Sequence, residues 1–388
     1  MERKANLINR YQELIDRKNL VVDSFNHGIF ERYQYPILTN EHVPLNWRFD
    51  FNPEDNPYLL ERLRVNSVFN SGAIATDNGV LLIARIEGVD RKSFFAIAES
   101  ATGIDQFKFW DKPIIIPETE NPDINIYDMR LTRHADGWIY GVFSSEREAK
   151  VKSPGVLFAP FATAAIVRTK DFENWERLPD LRTKSPQQRN VVLHPEFVDG
   201  KYGFYTRPQD GFMEAGLAEG IGWGLCEDIT SAVIDNEVII DNREFNTIKS
   251  AKNGAGATPI KTEIGWLHIA HAVRNTAVGL RYVLYLFVCD IDEPWRVVYQ
   301  PGGYLIEPRN WERVGDVSNV LFTNGLVLNE NGTLFIYYSS SDTRMHVATT
   351  NLDRILDYAV NTPKDPFRSS LCVEQRIELI EKNRKFWD

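Results

Sequence analysis

One phrase of alternating apolar and polar residues recurs five times along the chain. It reads SVFNSGAIATDNGVLLIARIEG at 67–88, YDMRLTRHADGWIYGVFSSE at 127–146, VVLHPEFVDGKYGFYTRP at 191–208, ATPIKTEIGWLHIAHAV at 257–273 and NVLFTNGLVLNENGTLFIYYSSSD at 319–342. Each is a short apolar strand, a tight turn ending in Gly79, Gly137, Gly200, Gly265 or Gly332, and an aromatic-rich strand. Four of the turns are Asn-Gly or Asp-Gly, the strongest short hairpin signal, because both types tolerate the left-handed backbone of a two-residue turn. Behind each hairpin a third apolar stretch runs into an acidic turn: FFAIAESATGID, AAIVRTKDFENW, GWGLCEDITS, YVLYLFVCDIDEPW and MHVATTNLD. Segments such as KPIII and RVVY supply a fourth strand.

The turn glycines are 58, 63, 65 and 67 residues apart, a spacing that fits four-stranded units with long connections. The expected fold is therefore all-β, a five-bladed β-propeller occupying residues 1–388 as one domain. A pair of β-sandwiches would account for the strands but not for the fivefold recurrence. The ends follow another period. Leu7, Ile8, Tyr11, Leu14 and Ile15 predict an amphipathic helix over 4–18, either packed on the propeller or used as an oligomer contact. EQRIELIEKNRKFW predicts a weaker helix over about 373–386.

Composition narrows the class. Of 388 residues 43% are apolar and 12% aromatic, enough for a large core, which excludes disordered and fibrous proteins. Lys and Arg number 44 against 54 Asp and Glu, a net −10, which argues against a nucleic-acid scaffold and confines any anion site to a local cluster. The longest uncharged run, Ser153 to Val167, is too short to span a bilayer and contains Pro160. The first residues lack an apolar secretory core. Cys226, Cys289 and Cys372 are too widely spaced for a disulfide framework, as in a cytosolic protein with reduced thiols.

In a propeller the first strand of each blade lines the central channel, so polar residues at those strand starts converge. They are Asn70-Ser71, Tyr127-Asp128-Met129-Arg130, Arg189-Asn190, Lys252 before GAGATP, and Gly315-Asp316 ahead of Asn319; Arg85, Arg207, His271 and Asp342 lie near the ends of second strands. Asp128 sits between apolar neighbours, where a carboxyl loses solvation and can serve as a general acid; equally, it can pair with Arg130, two residues on and on the same strand face. Asp342 can bind a sugar hydroxyl or cap a turn. Arg189, Arg207, Lys252 and His271 are the donors one dianion requires if they converge, and ordinary surface residues if they do not. His268 and His271, three apart on a strand, face opposite sides and have no carboxylate at ligand spacing, so no metal is expected. GAGATP lacks the Gly-Lys-Ser/Thr ending of a nucleotide loop and reads as a tight lead into the fourth unit.

With these residues assembled, the chain resembles glycoside hydrolase family 130, the inverting β-mannoside phosphorylases. The likeness spans about Asn70 to Thr343 and rests on VFNSGA, LLIAR, IYDMRLT, RNVVLHPE, YTRP, KNGAGATPIKTEIGWLHIAHAV, CDIDEPW, GDVSNVLFTNG and YYSSSDT. The resemblance implies that Asp128 is the catalytic acid. It implies that Asn70, Ser71, Arg85, Asn190 and Asp342 bind mannose, and that Arg189, Arg207, Lys252, His271 and Tyr282 contact phosphate. YDMRL and the N-terminal helix are similar to the branch acting on 4-O-β-D-mannosyl-D-glucose. The implied reaction is attack of phosphate on the anomeric carbon, releasing α-D-mannose 1-phosphate and glucose, with the proton relayed through the mannose 3-hydroxyl. No cofactor is implied beyond phosphate as co-substrate, and the expected partners are the disaccharide and further copies of the chain in a homo-oligomer, with neither nucleic acid nor membrane. A sugar-phosphate product suits the cytoplasm.

The residue chemistry agrees, since phosphate is already a nucleophile and needs a cationic cradle, whereas an inverting hydrolase needs a second carboxylate to activate water. One strong channel acid beside four cationic candidates leans away from a hydrolase. A mannooligosaccharide phosphorylase and a non-catalytic sugar-binding propeller stay open as alternatives.

Overall fold

The five turn glycines take φ values of 129°, 82°, 74°, 129° and 81° in a computed structural model that describes residues 2–22, 27–148, 160–210 and 220–387. A side chain is strained in that region of backbone space and glycine is not, so each glycine lets its chain reverse into an antiparallel partner. The first unit comprises Val65–Thr76, Gly79–Gly88, Ser93–Ser100 and Lys108–Phe109, each pairing with the next. The second comprises Asn125–Arg133, Ile139–Glu148, Pro160–Thr169 and Glu176–Leu181; the third, Val192–Val198, Lys201–Thr206, Gly220–Cys226 and Glu237–Asn242. In the fourth the inner strand is split into Lys252–Gly254 and Ile260–Thr262, both pairing with Gly265–Thr276, followed by Gly279–Cys289 and Val297–Tyr299.

The fifth unit, Leu321–Leu328, Thr333–Ser340 and Arg344–Asn351, takes its outer strand from the other end of the chain, because Glu31–Arg32 pairs with Arg344–Asn351. A single parallel pair, Gly72 with Asn324, merges the first and fifth units into one eight-stranded sheet. The all-β class expected from the sequence is the class observed. Of the uncharged run Ser153–Val167, residues 153–159 lie outside the described residues and 160–167 are strand.

The apolar faces bury against each other between successive units. Ile83 and Phe95 meet Met129 and Phe143; Val142 and Ile166 meet Leu193 and Phe204; Tyr205 and Trp223 meet Trp266 and Tyr285. Leu267 and Leu284 meet Leu321 and Ile336, and Val327 and Tyr337 meet Val68 and Leu82. Among the described residues the core thus forms five separate clusters, the last joining the fifth unit to the first. Strands pressed between two neighbours in this way are apolar on both faces, which explains continuous runs such as VLLIA.

The N-terminal helix is Glu2–Ile15, ending three residues before the expected limit, and only Ile15 of it is buried. The C-terminal helix is Ser369–Asn383, displaced toward the N-terminus from the expected 373–386, with no buried residue. Another helix, Leu352–Asn361, was not foreseen. Asn351 caps it by accepting from the Asp353 amide at 2.8 Å, and Ile355, Leu356 and Ala359 bury its inner face. The sequence reading took this stretch as the acidic turn after a strand, although its apolar residues fall at helical spacing.

Candidate active site

Four polar residues of the sequence reading stand on left-handed backbone: Asn70 at φ 48°, Asp128 at 62°, Asn190 at 52° and Asp342 at 49°. Asn and Asp tolerate that conformation better than other non-glycine residues. At Asn70 and Asp128 the strand register slips, between Phe69 and Gly72 and between Tyr127 and Arg130. Such bulges turn a side chain out of the alternating pattern. The result is a cavity of about 570 Å³, within the range of small-ligand sites, lined by Asn70, Arg85, Asp128, Arg189, Asn190, Arg207, Lys252, His271, Tyr282 and Asp342. Ten of the eleven sequence-derived site residues therefore converge. Ser71 does not line the cavity; it is buried next to Asn70 in the strand, and among the described residues its hydroxyl has no hydrogen-bond partner.

One side of the cavity is built around Asp128. Its Oδ1 accepts from Asn70 Nδ2 at 2.9 Å and from Arg85 Nη1 at 3.1 Å, and among the described residues no donor is bonded to Oδ2. Arg85 is held by Glu87 at 2.9 Å and by Ser93 Oγ at 2.9 Å, with its guanidinium over the rings of Phe69 and Tyr127. Asn70 is fixed in turn by Ser339, whose hydroxyl donates to its Oδ1. Two expectations are corrected here. The carboxylate lies in a charged, hydrogen-bonded cradle, not an apolar one, because the bulge turns it toward Arg85. The pairing with Arg130 does not form, since the slip breaks the two-residue alternation on which it depended; Arg130 Nη1 donates instead to the Asp128 carbonyl at 2.8 Å.

Positive charge gathers on the other side. Arg189 pairs with Glu146 at 3.5 Å, which also accepts from Tyr127 OH at 2.7 Å. Arg207 and Lys252 have no carboxylate within ion-pair distance among the described residues. Burial, together with Arg189, lowers Arg207 to about 10, with the Tyr282 and Tyr127 hydroxyls opposing. Burial, then Arg207 and Arg189, lowers Lys252 to about 8. His271 is pushed well below its ordinary value by burial and by Arg207, Arg130 and Lys252, and is neutral at pH 7; among the described residues neither ring nitrogen has a hydrogen-bond partner. Its ring lies 6.0 Å from Tyr282 at 18° and 4.5 Å from Phe322. Gly254 makes this packing possible: a Cβ there would come within 2.5 Å of the His271 ring and 3.0 Å of Arg207 Cδ. Buried cations left to repel one another form a site that favours an incoming anion.

Among the described residues three carboxylates line the cavity, Asp128, Asp316 and Asp342, so the expectation of one strong acid is also corrected. The group raised is Asp342, to about 7: burial is the main cause, Arg85 opposes it, and Asp128, Asp316 and Glu87 reinforce it. Sequence reasoning missed Gln209, which is buried in the cavity wall with no partner for Oε1 among the described residues, although it directly follows YTRP. Glu146, the counter-ion of Arg189, was missed as well; it closes the second quoted phrase and carried no signal of its own. A surface cleft of about 580 Å³ between Trp223 and Trp295 contains none of the sequence-derived residues.

Known proteins share this fold and sequence. A β-1,2-mannobiose phosphorylase from Listeria innocua superposes with a TM-score of 0.66 over 88% of this chain and 99% of its own, at 21% identity. The 4-O-β-D-mannosyl-D-glucose phosphorylase of Bacteroides fragilis is 55% identical over 382 residues, 98% of this chain and 97% of that protein. A β-1,4-mannooligosaccharide phosphorylase of Ruminococcus albus is 28% identical over 331 residues, 80% of this chain and 90% of its own. The family model described as β-1,4-mannooligosaccharide phosphorylase matches residues 36–361. With that match across most of its length, the chain belongs to glycoside hydrolase family 130.

Proposed function

We propose that this protein catalyses the inverting phosphorolysis of 4-O-β-D-mannosyl-D-glucose to α-D-mannose 1-phosphate and D-glucose. The observation that carries the reading is the unmatched positive charge of Arg207 and Lys252, beside Arg189, in the cavity that also holds Asp128. Glucose as the leaving sugar is supported by the 55% identity to the Bacteroides fragilis enzyme.

Phosphate binds to Arg189, Arg207 and Lys252, with neutral His271 and Tyr282 as further donors. Asn70, Arg85, Asn190 and Asp342 hold the mannose. One phosphate oxygen forms the new bond to C1 as the bond from C1 to O4 of glucose breaks. Asp128 gives its proton to the mannose 3-hydroxyl oxygen, which passes its own proton to the departing O4, so charge and atoms balance. A cationic wall orients the nucleophile and counters the charge of the transition state. Water needs an activating base in its place, as in an inverting hydrolase.

The five inter-unit cores, with the N-terminal strand completing the last unit, support a closed five-bladed propeller. The apolar residues left exposed on the C-terminal helix, Val373, Ile377 and Ile380, support a homo-oligomer, and a charged product that does not cross membranes supports the cytoplasm. The test is an assay of mannosylglucose and mannobiose with and without phosphate. Mannose 1-phosphate formed only with phosphate is the expected result, with mannosylglucose preferred. Free mannose released at an equal rate without phosphate refutes the reading. Asp128→Asn serves as the control, with an expected loss in kcat of at least about 10²- to 10⁴-fold.

A further inference from the structure

Arg130 is 1% exposed, yet no carboxylate lies within ion-pair distance of it among the described residues. Its guanidinium is satisfied by neutral acceptors from three successive units. Nη1 donates to the Asp128 carbonyl at 2.8 Å, Nη2 to Asn190 Oδ1 at 3.1 Å and to the Ala255 carbonyl at 3.5 Å, and Nε to the Gly256 carbonyl at 3.1 Å. Phe322 lies 5.5 Å from the guanidinium carbon. Burial lowers Arg130 to about 10, so it stays charged at neutral pH. A buried charge without a counter-ion is costly, and stability alone favours an apolar residue here.

The acceptors show what the charge does instead. The Asp128 carbonyl belongs to the bulge whose φ of 62° turns the carboxylate toward Asn70 and Arg85. Asn190 Oδ1, once engaged, leaves the amide nitrogen as the atom available to the cavity. Residues 255 and 256 directly follow the strand Lys252–Gly254, which carries the cation on the opposite side. Only a planar side chain with five N–H donors can hold these groups at once; the ammonium of lysine has a single nitrogen and cannot.

We propose that Arg130 is a positioning residue of the reaction, a fork that holds the backbone of Asp128, the side chain of Asn190 and the 255–256 loop in one register. The inference rests on the phosphorylase reading for the identity of the reaction, but not for its test. In Arg130→Lys the charge stays and the fork is lost; in Arg130→Gln a short amide replaces both. Full-length wild type and both variants are compared by initial rates over phosphate and mannosylglucose concentrations, with thermal unfolding measured alongside. A misplacement of about 1 Å costs about 10²-fold, so kcat of Arg130→Lys is expected to fall about 10²-fold while both KM values stay within about threefold and the protein remains folded.

A kcat within about threefold of wild type overturns the proposal, as does a loss of kcat matched by proportionate changes in both KM values. Failure of both variants to fold also overturns it and assigns Arg130 to stability alone. If wild type releases mannose without phosphate, the functional reading fails, and the same split between kcat and KM is then read on that hydrolysis.

Discussion

Replacing Arg207 with alanine separates the phosphate site from the sugar site. Arg207 is 6% exposed, has no carboxylate partner among the described residues, and shares the cavity with Arg189 and Lys252. A hydrogen bond to a charged group contributes about 1.5 to 3 kcal/mol, equivalent to about 13- to 160-fold in phosphate affinity. Little of that loss is recovered through Lys252 at pH 7, because a group lowered to about 8 is already mostly protonated there. The expected rise in KM for phosphate at pH 7 is therefore about 13- to 160-fold, with KM for the disaccharide nearly unchanged. Without phosphate the variant should unfold no more easily than wild type, since a repelled, desolvated charge has been removed. Phosphate at about 100 times the wild-type Kd stabilises wild type by about 2.7 kcal/mol, and a variant binding about 50-fold more weakly keeps about 0.65 kcal/mol of it. Phosphate-titrated unfolding and initial rates read both quantities, and Arg207→Lys should restore only part of the affinity because it lacks the planar fork. If KM for the disaccharide rises while that for phosphate does not, Arg207 belongs to the sugar site. If neither moves, the anion-site argument fails.

Lys252 loses its charge as pH rises through about 8, so KM for phosphate should climb above that pH, and Lys252→Met should show a higher KM that climbs less steeply between pH 8 and 9 than that of wild type. Its lowered value also means that the unfolded chain holds the proton longer than the folded one, so its unfavourable contribution to phosphate-free stability is complete below about pH 8 and fades as pH rises toward 10.5; a stability gap to Lys252→Met that widens with pH would reject this. Asp342, raised from 3.8 to about 7, keeps its proton in the fold after the unfolded chain has lost it, so stability falls with pH across that window. Asp342→Asn should therefore raise the unfolding temperature more at pH 8 than at pH 4, and an equal difference at both would refute the assignment. Asn70→Gly and Asn70→Ala should lose kcat alike, since both remove the bond to Asp128. The alanine variant should also be less stable by about 1 to 2 kcal/mol, because φ of 48° strains a Cβ, and equal unfolding temperatures would contradict this.

The chain's local pattern determined its strands and turns. Asn-Gly and Asp-Gly steps dictate reversals through backbone sterics that act within four residues, and the five repeated phrases announced five similar units before any contact was known. Where two local signals adjoined, the reading failed: the helix Leu352–Asn361 follows the last strand without a break, and its cap at Asn351 was read as the end of a turn. Nine of the eleven site residues were recognisable because they stand at strand starts and ends that converge in a structure of repeated units, whereas Tyr282 was implied by the family resemblance alone.

Partners and charge states were not recognisable. Strand alternation left a pair with Arg130 open for Asp128 beside the role of acid, but a one-residue slip sends its carboxylate to Arg85 and leaves Arg130 holding its carbonyl. Glu146 against Arg189, Gln209 in the cavity wall and the raised carboxyl of Asp342 depend on distances between residues remote in sequence and on how much water each group keeps. Hairpin formation is a short-range steric matter that the order of residues carries in itself. Electrostatic pairing and desolvation act through space, and they take their values only once the units have packed around one cavity.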